Sequence, residues 1–376
     1  MKYMGSKRSM LKNGLGDLIL EKASRASRFV DLFSGSGVVA WFTAEHTRLP
    51  VWAYDLQDFA VVFAKSVIAR RHPLDSRGLS ELWLKKVGRI RPRAGHWEAA
   101  SKLDRVKDVC RWVQRARVVC SKLSGHGPIW ESYGGYYYSP TQALAFDLML
   151  RHLPGHEPER SVCLAAALFA ASKCAAAPGH TAQPFRPTNR AARFIREAWQ
   201  KDPIVEAGKA LDQICPRHAQ VTGSARTGEA CEIARHLRPT DLVFVDPPYS
   251  GVHYSRFYHV LETMARGDCG PVTGAGRYPP LAERPQSDFS VGSRSRSALE
   301  TLLSSLAQSG ASVILTFPAG ECSNGLSGGI VLNVSRRLFV VDKRTVQGRF
   351  SSLGGNNTAR AARSKSEELL LFMHPK

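Results

Sequence analysis

The chain has 376 residues, with 52 Lys plus Arg against 32 Asp plus Glu and a net charge of +20. That length allows a substantial core plus an appended domain, which excludes a peptide hormone or a small stapled scaffold, and the charge calls for a polyanionic partner such as nucleic acid or an anionic membrane face. A hydrophobic content of 43% excludes wholesale disorder, and no apolar run reaches the roughly 18 residues of a bilayer span.

In chain order, the start MKYMGSKRSMLKNG lacks the apolar stretch of a secretory signal, so a cytoplasmic or nucleoid-associated address with no membrane partner is expected. RFVDLF at 28–33 ends at a glycine turn and precedes a helical stretch from Val38 to Glu45. VWAYDLQ at 51–57 reads as a second strand followed by an apolar helix from Phe59 to Ile68. Two successive β-α units predict a parallel sheet.

From about Arg70 the pattern turns helical and basic, and the next strand reads as AQVTG at 219–223. Residues 70–122 hold 15 Lys plus Arg against 5 Asp plus Glu, half of the net charge. Within 97–122, Leu103, Val106, Cys110 and Val113 alternate at helical spacing with Arg105, Lys107, Arg111 and Arg115, giving one apolar face and a cationic remainder. A solvated helix face is the plain alternative to a nucleic-acid contact.

The α/β rhythm then returns: a helix near 226–237, the strand DLVFVD at 241–246, helices near 255–266 and 297–309, and the strand SVILTF at 312–317. LFVVDKRTV at 338–346 and EELLLFM at 367–373 predict a C-terminal antiparallel hairpin on a mostly parallel sheet. The loop 348–365 between them carries Arg349, Arg360, Arg363 and Lys365 without an acid, and reads as a mobile segment that orders on DNA phosphates. Residues 270–296, with four Pro and four Gly, read as an irregular functional loop.

Eight scattered cysteines show no CxxC or CxxH pairing, which argues against a zinc ribbon, a disulfide framework or a zinc deaminase. They read as buried small hydrophobes in a reducing compartment, and the chemistry calls for no metal.

Three motifs carry chemistry. In Asp31-Leu32-Phe33-Ser34-Gly35-Ser36-Gly37 the glycines let backbone approach a ligand ahead of a helix N-terminus, but Ala40 breaks GxGxxG and disfavours a dinucleotide pyrophosphate. Asp55, at the end of the second strand, suits two ribose hydroxyls or, alternatively, a helix cap. Asp246-Pro247-Pro248-Tyr249 is the sharpest: the prolines stop the strand and hold a carboxylate at the carboxyl edge of the sheet, where open α/β folds bind ligands. A carboxylate, a free carbonyl and an aromatic face suit a planar base that carries an amine.

These motifs, in this order, resemble those of the Dam-like N6-adenine DNA methyltransferases, which use S-adenosylmethionine and release S-adenosylhomocysteine. Lys2-Tyr3-Met4-Gly5-Ser6-Lys7 is similar to the family's N-terminal cofactor motif, which places Tyr3, Gly5 and Lys7 at the cofactor. The resemblance also gives Asp31, Phe33, Gly35, Gly37, Asp55 and Asp246 to cofactor binding and Asp246 to Tyr249 to catalysis. YGGYYYSPTQA at 133–143 and SKSEELLLF at 364–372 resemble family features less specifically. In place of the family's acid after the third strand the chain reads Val221-Thr222-Gly223-Ser224-Ala225, leaving Ser224 to contact the cofactor adenine.

The expected architecture is therefore a Rossmann-like methyltransferase sheet formed by 1–69 and 216–376, with 70–215 a helical, basic target-recognition insert walling a DNA cleft. The expected reaction methylates the N6 amine of an adenine flipped from double-stranded DNA, in a restriction-modification, defence or epigenetic-marking setting. The alternatives are an N4-cytosine or RNA-adenine methyltransferase and a catalytically silent DNA-binding subunit.

Overall fold

The computed structural model describes residues 7–351 and 363–376. They fall into two compact units. One comprises Pro73–Arg217 with Ser255–Arg284, and the other comprises the described residues up to His72 with His218–Tyr254 and Pro285–Lys376. The helical unit thus takes in 255–284, which the sequence boundaries leave with the sheet.

The second unit is built on one seven-stranded sheet: β1 (Arg28–Asp31), β2 (Val51–Asp55), β3 (Ser224–Thr227), β4 (Asp241–Val245), β5 (Ser312–Pro318), β6 (Phe339–Ser351) and β7 (Arg363–Pro375). Their spatial order is β3-β2-β1-β4-β5-β7-β6. Strands β1 to β5 pair in parallel, and β7 runs antiparallel to both β5 and β6. This is the mostly parallel, Rossmann-like sheet with a C-terminal hairpin that the motif order predicts.

Both faces are covered, as a parallel sheet requires. Val243, Val245, Val313, Leu315 and Phe317 join a core cluster with Leu299, Leu302, Leu303 and Val331 from the helices Ser295–Ser309 and Gly328–Leu338. Phe29 and Phe244 stack on one another with centroids 6.5 Å apart. The helices Val38–His46 and Asp58–Ile68 fill the crossovers on either side of β2.

Several elements depart from the sequence expectation. The third strand lies at Ser224–Thr227, not 219–223, because the earlier N–H groups are engaged elsewhere: Ala219 donates to the carbonyl of Arg70, Gln220 to Ala44 and Gly223 to Ile68. Gly223 also passes Val51 so closely that a Cβ would meet its carbonyl oxygen at 2.2 Å. The helix expected at 226–237 is confined to Ala230–Ala234.

In the helical unit, 97–122 is two helices, Trp97–Leu103 and Val109–Lys122, split where Asp108 caps the second by accepting from the Arg111 N–H at 2.8 Å. Residues 270–284 of the supposed irregular loop are anchored, with Thr273 bridged to Tyr278 and the Gly276 carbonyl accepting from the Tyr137 hydroxyl. The tyrosines of 133–143 are structural: Tyr133, Tyr137 and Tyr138 are fully buried, and Ser139 with Gln142 forms a capping box for the helix Pro140–Arg151.

The hairpin pairs out to Ser351 opposite Arg363, so both ends of the segment 348–365 are strand, and its remainder lies outside the described residues. All eight cysteines are free, yet only Cys120, Cys163, Cys174 and Cys215 are buried, and the other four are half-exposed. Among the described residues, no helix is long and apolar enough to cross a membrane.

Candidate active site at the sheet edge

Parallel strands align their carboxyl ends, so the chemistry of β1, β2 and β4 is delivered to one edge. At the end of β1, Gly35 and Gly37 take left-handed backbone (φ 48° and 73°), and the Gly37 N–H donates to the Ser34 carbonyl at 2.7 Å. A Cβ at Gly37 would lie 3.2 Å from both the Ala64 nitrogen and the Trp41 indole nitrogen, so glycine is required there twice over. Asp55 grips this turn: Oδ2 accepts from the Gly35 N–H at 2.8 Å and Oδ1 from the Gln57 N–H at 3.0 Å. Gln57, not Asp55, occupies the cap position of the following helix. Burial pushes the Asp55 carboxyl up to about 6, against the pull of those N–H groups.

Asp31 is buried behind the turn and accepts from the Phe33 N–H at 3.2 Å. Burial, with the neighbouring charges of Asp246 and Asp55, raises its pKa well above the carboxylate range. The Phe33 ring meets Phe289 edge-on at 5.4 Å. Ser34 and Gln57 are buried, and the Ser34 hydroxyl and the Gln57 Oε1 have no partner among the described residues.

The carboxylate after β4 is the centre of a charge cluster. Lys7, only 4% exposed, places its ammonium 3.0 Å from Asp246 Oδ1 and 3.0 Å from Glu368 Oε2. The Thr316 hydroxyl donates to the same Asp246 Oδ1 at 3.0 Å, so both bonds fall on one oxygen of the carboxylate. Burial alone would lower the Lys7 pKa, but the two carboxylates outweigh it and the net shift is upward, holding the ammonium charged. Burial raises the Asp246 pKa against the opposing pull of Lys7.

Tyr249 packs edge-on against Tyr254 and Phe317, each at 6.5 Å, and burial pushes its phenol up to about 12. The tetrapeptide's backbone is held by Asn324, whose Nδ2 donates to the carbonyls of Pro248 (3.0 Å) and Phe289 (2.9 Å) while Oδ1 accepts from the Leu326 N–H. This buried amide is fully used, so the turn after β4 is fixed.

The fold therefore gathers Lys7, Asp31, Phe33, Gly35, Gly37, Asp55 and Asp246 to Tyr249 at one edge. Ser224 is a correction: it pairs with Trp52 at the opposite end of the strand, about 10 Å of strand from Thr227. With β3 shifted, the acid following the third strand is Glu229, exposed and accepting from the Glu232 N–H at 3.0 Å. Tyr3, Gly5 and Arg360 lie outside the described residues, and Arg349 and Arg363 sit on the paired strands of the hairpin. Arg105, Arg111 and Arg115 are exposed on the helical unit.

Residues 3–89 match the sequence model of a family, the D12 class N6 adenine-specific DNA methyltransferases. The match covers less than a quarter of the 376 residues, and the likeness is to that stretch. No curated protein matches the sequence. The matched D12-class segment contains Lys7, the glycine turn and Asp55, whereas Asp246 to Tyr249 lie beyond it and are joined to it by Lys7.

Three residues of this edge escaped sequence reasoning. Thr316 is a polar position inside the apolar strand SVILTFP, whereas Glu368 is the second of two glutamates that open EELLLFM and stands next to its apolar run. Asn324 sits in a turn-rich stretch where an asparagine has no distinguishing pattern.

Proposed function

We propose that the sheet-edge site transfers a methyl group from S-adenosylmethionine to the exocyclic N6 amine of an adenine turned out of double-stranded DNA, leaving S-adenosylhomocysteine. The observation that carries this reading is the Lys7, Asp246, Glu368 cluster, which ties a matched D12-class segment to the Asp-Pro-Pro-Tyr turn.

The residues present fit the cofactor. The Asp55 carboxylate accepts from the backbone N–H groups of Gly35, Gln57 and Leu56 and keeps a lone pair for a ribose hydroxyl. The left-handed glycines allow close backbone approach, and the unpartnered Ser34 hydroxyl and Gln57 Oε1 offer polar contacts beside the turn. Glu229, in place of Ser224, supplies the carboxylate for the cofactor's adenine amine. Bound there, the cofactor supplies an activated methyl group on a sulfonium.

The chain's own groups do the positioning. Asp246 Oδ1 is fixed by Lys7 and Thr316, which leaves Oδ2 to accept one hydrogen of the amine while the Pro247 carbonyl accepts the other. Both bonds hold the nitrogen lone pair in line for attack, and the one proton that the methylated amine must lose would pass from N6 by way of Asp246 Oδ2 to solvent. Burial strengthens Asp246 as an acceptor, and the Tyr249 ring stacks on the base. Lys7 keeps two buried carboxylates tolerable at neutral pH. Arg105, Arg111 and Arg115, with Arg349, Arg360 and Arg363 of the hairpin, bind DNA phosphates without reading sequence. On this reading the enzyme marks DNA in the cytoplasm, in a restriction-modification, defence or epigenetic-marking setting.

Transfer of a labelled methyl group to mixed genomic DNA tests the reading. Incorporation into DNA supports it, and its absence while the cofactor binds would leave a silent DNA-binding subunit.

A further inference from the structure

Of the four tyrosines in YGGYYYSPTQA, Tyr133, Tyr137 and Tyr138 belong to the core, whereas Tyr136 is half-exposed on a tight loop of the helical unit. The Gly135 N–H donates to the Tyr138 carbonyl at 2.8 Å, and a Cβ on Gly135 would lie 2.7 Å from the Arg117 nitrogen. Glycine there, at φ 76°, seats the loop directly on the helix Val109–Lys122. Two guanidinium groups meet the Tyr136 ring as a result, Arg117 at 4.3 Å and Arg277 at 4.6 Å from its centre. Backbone carbonyls pin both: Arg117 Nε donates to Gly135 at 3.2 Å, and Arg277 donates through Nε to Ser132 at 2.8 Å and through Nη2 to Glu131 at 3.2 Å. Arg277 does so from left-handed backbone, φ 54°, a conformation that ordinarily falls to glycine.

Among the described residues the contacts of both guanidiniums are carbonyls and the ring, with no carboxylate. Glu131 gives its carboxylate to the Gly125 N–H at 3.0 Å instead. Burial lowers the Arg117 pKa, and the Arg277 charge pushes the same way. Arg117 Nη1 and Nη2, Arg277 Nη1 and the Tyr136 hydroxyl have no partner among the described residues, and none of them is closed off from solvent. Two like charges on one ring, one of them carried on unfavourable backbone, are a cost that an anion beside them removes.

We propose that Arg117, Tyr136 and Arg277 form a clamp for one backbone phosphate of nucleic acid. The two arginines supply donors only, so a cation is excluded, and an uncharged ligand would leave both charges unmatched. Ring and carbonyl contacts fix the planes of both guanidiniums in advance, the pre-organisation that suits arginine to phosphate. Arg117 stands about 200° around its helix from Arg115, so the clamp is separate from the cationic face of Arg111 and Arg115. Choosing nucleic acid among phosphate bearers rests on the net charge of +20 and on the reading that the chain acts on DNA.

The test is fluorescence anisotropy of a labelled duplex titrated with the full chain, without cofactor, over a series of salt concentrations. Arg117→Gln and Arg277→Gln should each weaken binding by about tenfold, the loss of a charge-assisted hydrogen bond. Because both act on one phosphate, the double variant should lose less than the product of the two and flatten the slope of log affinity against log salt by roughly 0.9. Tyr136→Leu keeps both charges and removes the ring that aligns them, so it should weaken binding several-fold where a merely cationic surface would not respond. If Arg277→Gln fails to fold, Arg117→Gln with Arg117→Lys carries the comparison, and the lysine, which keeps the charge without the fork, should recover only part of the affinity.

Inorganic phosphate in place of chloride at equal ionic strength should weaken duplex binding by the wild type and not by the double variant. Unchanged duplex affinity and slope in the double variant, or unchanged affinity in Tyr136→Leu, would overturn the proposal. Polyglutamate bound with the same variant sensitivity would make the site one for an acidic chain and overturn it likewise. A wild-type chain that binds duplex with the expected variant sensitivity but transfers no methyl group contradicts the proposed function and leaves the clamp standing.

Discussion

The sheet edge and the helical unit bury polar groups in opposite ways. At the edge, Lys7, Asp246, Glu368 and Thr316 satisfy one another, so charge is tolerated because each member has a partner of opposite sign or a hydroxyl donor. In the helical unit, the Arg91 Nε–H and the Trp112 indole N–H are buried donors with no partner among the described residues. Paired burial reads as a scaffold that aims the second carboxylate oxygen of Asp246. Unpaired burial costs about 1–3 kcal/mol per group and leaves the helical unit with a local strain that the charge cluster at the edge does not carry.

The largest expected effect separates aim from binding. Asp246→Ala should lower transfer by at least about a thousandfold while cofactor affinity changes by less than about tenfold, because the lost contact acts on the target amine. Calorimetry with single-turnover kinetics measures both, and turnover near wild type would remove Asp246 from the chemistry. Next, Lys7→Met strands two buried carboxylates and should cost about 3–5 kcal/mol in urea unfolding, part of it recovered in Lys7→Met/Glu368→Gln. A loss below about 1 kcal/mol would show that the cluster is solvated, and the contrast with the helical unit would lapse.

Asp55 gives a pH-dependent effect of intermediate size. Its carboxyl is pushed up to about 6, and ribose hydroxyls favour the charged form. Cofactor affinity should therefore be full above pH 6 and fall by up to about tenfold per pH unit below it. Asp55→Asn should bind more weakly at neutral pH and lose that dependence. The same slope in Asp55→Asn would assign the titration to another group.

The smallest effect concerns the exposed face of the helical unit. Arg111→Glu with Arg115→Glu should weaken DNA binding for all sequences and flatten the dependence of log affinity on log salt by roughly 0.9 for each lost phosphate contact. An unchanged slope would make these residues a solvated helix face.

How much of this was legible depends on the range of the interactions. The glycine turn, Asp55 and Asp246 to Tyr249 announce themselves because a sharp turn, a strand end or a paired proline leaves a contiguous trace. Glu368 meets Lys7 and Thr316 meets Asp246 only through strand register, so their sequence trace is one threonine in an apolar run and one of two glutamates beside another. The misplaced third strand shows a second limit: Val221 and Thr222 have strand-forming side chains, but the helix-end carbonyls of Ala44, Ile68 and Arg70 claim the neighbouring N–H groups. That shift of a few residues exchanged Ser224 for Glu229 as the acid-position residue. The site of Arg117, Tyr136 and Arg277 left no local trace, since its members come together only through the packing of loops on a helix.

The most direct measurement of the central claim is nucleoside analysis by mass spectrometry of unmethylated duplex DNA incubated with S-adenosylmethionine and either the wild-type chain or Asp246→Ala. N6-methyladenine with the wild type and none with the variant is the result predicted. N4-methylcytosine as the product, or equal N6-methyladenine from both proteins, would contradict it.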